Sequence, residues 1–120
     1  PYLTASISEF PLSYKRPLDV LRRIRPLRNH VHYYLHTVDK LNETNLELSH
    51  IEMPEEPISF LFLAASLLQI PAHEKFPIIS SPTALEVCSS VERLYRRENA
   101  VIRRLIKISE EEARNIALLN

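Results

Sequence analysis

No glycine occurs among the 120 residues of this chain. About eight would be expected at an average usage of roughly 7%. Every phosphate cradle that depends on glycine is thereby excluded. There is no G-x-x-x-x-G-K-[ST] loop and no G-x-G-x-x-G turn. Hairpin turns of the Asn-Gly type are missing too. The chain is therefore not by itself a P-loop NTPase or a dinucleotide-binding unit, and a β-rich fold is disfavoured. Cysteine occurs once, as Cys88. A lone cysteine makes no intrachain disulfide and no cysteine zinc site. It implies the cytoplasm or another reducing intracellular compartment. No apolar run reaches the 18 residues of a membrane span, so no membrane partner is expected, and no signal peptide is visible. An excess of one charge is also lacking, since 15 basic residues balance 15 acidic ones. A phosphate-backbone binder normally carries a basic excess. The first residue is Pro1 rather than Met, which predicts a piece of a longer protein.

What is present suffices for a core. Hydrophobic residues make up 45% and charged residues 25%, near the globular average. A chain of this size fits one domain and needs no disulfide or structural metal. Residues 2–10 alternate Tyr2, Thr4, Ser6 and Ser8 with Leu3, Ala5 and Ile7, the period of a strand. An isolated strand lacks partners, so residues 1–11 are expected to end an upstream β-subdomain. Residues 12–120 form the helical subdomain. Val20, Ile24, Leu27, Val31, Tyr34, Val38 and Leu41 step by fours and threes. They predict a helix over 16–41, widened by Leu21 and Leu35 and kinked or broken at Pro26. Residues 56–70 predict a second helix, apolar on most sides and therefore central. A short third helix over 71–80 should point Phe76 and Ile79 inward. Residues 83–108 predict a long fourth helix with a stripe of Val87, Val91, Leu94, Val101, Leu105 and Ile108. Ser109 and Glu112 have capping-box spacing, which leaves open whether the helix restarts there or runs on. The fold class is thus mainly α: a four- to five-helix bundle with a long C-terminal helix, plus a short N-terminal extended segment.

Few constellations point to chemistry. His32 and His36 stand four apart, so both imidazoles share one helix face and can bind a metal. His30 points roughly 200° away from His32 at about 100° per residue, and no third ligand joins the pair. Neither a metal nor a cofactor is expected. Lys15, Arg16, Arg22, Arg23, Arg25 and Arg28 make one basic patch. Arg93, Arg96, Arg97, Arg103, Arg104 and Lys107 make another. Either can meet an anionic partner. The plainer expectation is pairing with Glu52, Glu55, Glu56, Glu92 and Glu98, or solvation, because no aromatic residues interleave the arginines to stack bases. No serine sits in a nucleophile elbow or an S-x-x-K motif. Cys88 lies in an apolar stripe and reads as structural. Glu110, Glu111 and Glu112 fan around a helix rather than facing one another.

One stretch carries a family likeness. Ala64 or Ala65 sits in the middle of the apolar helix, followed by Leu68, Ile70 and the pair Glu74-Lys75. The triplet Glu92-Arg93-Leu94 then opens a run that ends in Arg97-Glu98. In this order the chain resembles the helical C-terminal half of the Lon protease N-terminal, or substrate-binding, domain family. The opening P-Y-L-T-A-x-I-x-E looks like the last strand of that family's β-half, which has a pseudouridine-synthase-and-archaeosine-transglycosylase-like fold. The likeness spans nearly the whole chain and is weakest over 12–49 and beyond 106. It implies that these motif positions serve packing and capping. It also implies a non-catalytic protein-binding role in recognising unfolded or tagged substrates. No ATPase or Ser–Lys protease motif is present, so no peptidase activity is expected. The absence of Gln after Gln69 departs from the family's Gln-rich coiled region and favours a stand-alone or divergent member. Tyr33, Phe76, Tyr95 and Arg96 are the candidate protein contacts. Helix faces left bare without a β-half also favour self-association. The alternative is a helical nucleic-acid-binding regulator that uses Arg22, Arg23, Arg25 and Arg28.

Overall fold

The computed structural model describes residues 17–42 and 48–119. The expected strand in residues 1–11 and the basic residues Lys15 and Arg16 lie outside them. The described residues are mainly helical, in the order α1 (Pro17–Asn42), a 3-10 turn (Leu48–His50), α2 (Pro57–Leu67), α3 (Ala72–Ile79) and α4 (Ala84–Leu119).

α1 follows the sequence stripe closely. Val20, Ile24, Leu27, Val31, Tyr34, Leu35 and Val38 are buried. Leu21 and Leu41 are exposed, so the stripe is narrower and shorter than the pattern predicts. No break occurs at Pro26, which sits inside the continuous helix. Its ring is on the exposed side, and the carbonyl four residues back belongs to exposed Arg22. Water can there replace the missing N–H, which removes the main cost of an internal proline. Beyond α1, Asp39 accepts the N–H groups of Leu48 and Ser49 at 2.9 and 2.8 Å. These bonds hold its carboxyl below the ordinary range, that of Ser49 contributing most, and tie the 3-10 turn to α1.

α2 starts at Glu56, whose carboxylate accepts the N–H groups of Ile58 and Ser59 at 3.1 and 2.6 Å. Burial pushes this carboxyl up, but the N–H bonds outweigh it and leave it below its usual value. Such a cap satisfies donors that the first helical turn cannot. Phe60, Leu61, Ala64 and Ala65 are buried, whereas Phe62 is exposed. α2 is thus covered on one face and is not the central helix. The most extensive pairing is between α1 and α4.

α3 inverts one expectation. Phe76 is 72% exposed and Ile78 is buried; the side chain of Ile79, also expected inward, lies outside the described residues. Pro71 stands just before the helix. Glu74 binds Arg97 of α4 at 3.1 Å, and Lys75 Nζ donates to the Ser66 carbonyl at 3.0 Å. Glu74 and Ile78 are four apart and share a face, while Phe76 lies about 200° from each. With Glu74 held by Arg97 of α4 and Ile78 in the core, the phenyl ring turns to solvent.

α4 is one helix of 36 residues, about 54 Å at 1.5 Å per residue. It runs through Ser109, and the capping-box spacing does not act. No proline or glycine interrupts residues 100–119, and good helix formers such as Glu, Ala, Arg and Leu dominate there. The molecule measures 62 × 29 × 26 Å, with its long axis comparable to this helix.

Candidate functional site

Three contacts fix how α1 and α4 lie together. Arg23 donates to Ser89 Oγ. Asn99 Nδ2 donates to the His30 carbonyl at 3.2 Å. The Arg103 guanidinium sits 4.9 Å from the Tyr33 ring centroid. Contact partners therefore advance together along both helices, so α1 and α4 run parallel. A parallel pair needs a crossover connection, and α2 and α3 lie within it.

Parallel packing brings together what the sequence separates by 70 residues. A groove of about 450 Å³ between α1 and α4 is lined by Arg22, Arg23 and Pro26 on one wall and Ser89, Glu92, Arg93 and Arg96 on the other. On α4, Ser89, Glu92, Arg93 and Arg96 follow i, i+3, i+4, i+7 spacing, which places them on one face. Arg96 binds Glu92 at 2.9 Å. Glu92 and Arg93, expected to serve packing and capping, instead line this groove, and of that triplet Leu94 alone is buried. The two basic patches were legible in the sequence, but their convergence was not. Their helices belong to no common repeat and share no motif.

The first patch does not act as a unit. Arg28 donates to the Glu55 carbonyl at 3.1 Å and stacks over the Phe60 ring, 4.3 Å from its centroid. In the second patch, Arg97 binds both Glu74 and Glu98. Its hydrogen bond to Glu74, with that to Glu98, raises its already high pKa.

Of the four expected protein contacts, Tyr95 is corrected. Its side chain is fully buried, with its hydroxyl donating to the Ala64 carbonyl at 2.5 Å. Its ring meets Tyr34 edge-on at 5.3 Å. Burial pushes the Tyr95 phenol well above its ordinary value. Tyr34 is likewise raised by burial, although it accepts the Gln69 N–H at 2.8 Å. An amphipathic ring on the apolar stripe of a helix finds a buried partner for its hydroxyl. Tyr33, Phe76 and Arg96 remain at the surface, but the fold does not gather them. Arg96 lines the arginine groove, whereas Tyr33 lines a second cavity of about 420 Å³ with His32, His36, Thr37, Lys40, Ser49 and Ile106. His32 and His36 do share a face there. Among the described residues no group of three His, Cys, Asp or Glu side chains is placed to hold a metal.

Sequence periodicity also found a surface it assigned to the core. Val87, Val91 and Leu94 are buried, while Val101, Leu105 and Ile108 are each about half exposed. At about 100° per residue, Val101, Leu105, Ile108, Ile116 and Leu119 fall within roughly 80° of one another. Glu112 lies in the same arc. Ile116 and Leu119 are also exposed. The stripe is real, but its second half has no cover among the described residues. No helix among them is long and apolar enough to cross a membrane.

Compared with known proteins, the chain matches no family model, no curated protein and no solved structure.

Proposed function

We propose that this chain is a non-catalytic protein-binding module, the helical half of a Lon-type N-terminal domain that recognises unfolded or tagged polypeptides. The observation that carries this reading is the bare apolar stripe on α4. Five large apolar side chains, Val101, Leu105, Ile108, Ile116 and Leu119, stand at 49–87% exposure along one face. Apolar side chains gathered on an exposed face mark a contact with another polypeptide, and the spacing of Val101, Leu105 and Ile108 suits helix-in-groove recognition, with Glu112 dividing them from Ile116 and Leu119. The motif residues add support of a structural sort. Glu74 and Lys75 join α3 to α4 and α2, and Tyr95 joins α4 to the Ala64 carbonyl of α2, whereas Glu92 and Arg93 line the groove.

The test is binding of a labelled, permanently unfolded polypeptide, read by fluorescence anisotropy. Replacing Leu105, Ile108 and Ile116 by Ser should weaken binding at least tenfold while circular dichroism stays helical. No binding by the parent chain, or equal binding by the triple variant, removes the proposal. The nucleic-acid alternative has less behind it. Arg28 is engaged by Glu55 and Phe60 and Arg23 by Ser89, so residues 22–28 do not present four free guanidinium groups.

A further inference from the structure

From the groove between α1 and α4 we infer that Arg22, Arg23, Arg93 and Arg96, with Ser89, form a binding site for a small phosphate-type dianion. This site is independent of the apolar stripe on α4. Four guanidinium groups line the groove against a single carboxylate, Glu92. Arginine stays protonated throughout the working pH range, so the lining carries a net charge of +3 from four positive groups and one negative. Glu92 is already held by Arg96. Arg22 and Arg93 have no hydrogen-bond or ion-pair partner among the described residues. Asp19, three and four residues before Arg22 and Arg23, forms no ion pair with either. Mutual repulsion among cations is thus left for a ligand to relieve.

The donor set selects the chemistry. Each guanidinium offers five N–H donors in a planar fork, and the forks come from two opposing helices. A phosphate group accepts from several directions at once, whereas one carboxylate is saturated by one or two forks. Ser89 Oγ accepts from Arg23, which leaves the hydroxyl proton available for an anionic oxygen. A dianion also matches the surplus charge better than a monoanion. The groove, at about 450 Å³, is within the size range of small-ligand clefts. No aromatic side chain lines it, so nothing there stacks a base.

The probe is inorganic phosphate at mildly alkaline pH, where the dianion predominates, titrated into the full 120-residue chain at low salt and followed by backbone amide shifts. Saturable binding is expected, with shifts concentrated at residues 22–26 and 89–96. The double variant Arg22→Ala/Arg93→Ala should bind at least tenfold more weakly. Both side chains are exposed, so the fold should survive. The control Arg104→Ala, an exposed arginine on α4 outside the groove, should bind as the parent does. Absence of saturation, or equal weakening in the control, overturns the inference, the latter because it reports only diffuse surface charge. Duplex binding at the groove that inorganic phosphate fails to compete overturns it as well.

Discussion

α4 is two different objects joined end to end. Over residues 84–102 it contributes Ala84, Val87, Cys88, Val91, Leu94, Tyr95, Asn99 and Ile102 to the interior. Over residues 103–119 only Ile106 is even half-buried. Local sequence does not explain the contrast, because both halves carry apolar residues at helical spacing and neither contains glycine or proline. The difference lies in the neighbours. α2 and α3 lie against the first half, where Tyr95 reaches Ala64 and Arg97 reaches Glu74. α1 follows α4 only as far as the cavity shared by His36 and Ile106. Past that point the helix is sustained by intrinsic propensity, since good helix formers such as Glu, Ala, Arg and Leu dominate there. The lesson is that helix and burial are separate decisions.

Matched truncations test that contrast most severely. Leu94→Ala should cost about 2–5 kcal/mol by urea unfolding, the usual range for a buried leucine. Leu105→Ala should stay within about 0.5 kcal/mol, as for an ordinary surface site. Equal losses would break the comparison and mean that the projecting half is covered in solution, which sedimentation would reveal as self-association. A smaller effect is expected from Tyr95→Phe. It strips the buried Ala64 carbonyl of a partner and should cost about 1–3 kcal/mol. A loss near zero would mean that the ring, not the hydroxyl, secures α4 to α2.

Cys88 sharpens the comparison through pH. Burial pushes its thiol from 9.0 up to about 11, with the charge of Glu92 adding to the effect. As pH rises above 9, the unfolded chain ionises this thiol and the folded chain does not. Stability is therefore full below pH 9 and falls between pH 9 and 11. In Cys88→Ala that decline should be shallower, as measured by denaturant midpoints across the range. Maleimide labelling of the native chain at pH 7 should also be slow, governed by opening of the packed half. Rapid labelling would place Cys88 at the surface.

The least effect is expected at the far end of α1. The Asp39 carboxyl is held below its ordinary 3.8, so its contribution is present above that value. It is lost as pH falls through the lower folded value. Asp39→Asn should speed hydrogen exchange at Leu48 and Ser49 at neutral pH without changing exchange in the packed half of α4. Unchanged exchange at Leu48 and Ser49 would mean that the 3-10 turn stands without this tether.

The four helices were legible because each has its own signature in the chain. α1 has steps of four and three, α2 has a run of apolar residues, α3 has Pro71, and α4 has a long stripe. Misread positions share one cause. Phe76, Leu21 and Leu41 are apolar residues whose side of the helix no described neighbour covers, and Tyr95 is an amphipathic residue whose side is covered. Period gives the relative direction of side chains along one helix but not the rotation of that helix against the next. The arginine groove was illegible for the same reason. Both of its walls read as basic patches, and nothing local says that they face each other.

Composition and periodicity by themselves determined that this chain is helical, where its helices begin, and which residues of each helix share a face. Those properties follow from backbone propensity, capping and side-chain spacing, all interactions within a few residues. Tertiary structure alone decided that α1 and α4 run parallel, that Arg22 and Arg23 meet Arg93 and Arg96, and that the stripe of α4 is covered to Leu94 and bare from Val101. Those outcomes depend on where a neighbouring helix ends, a length and a position that no local interaction encodes.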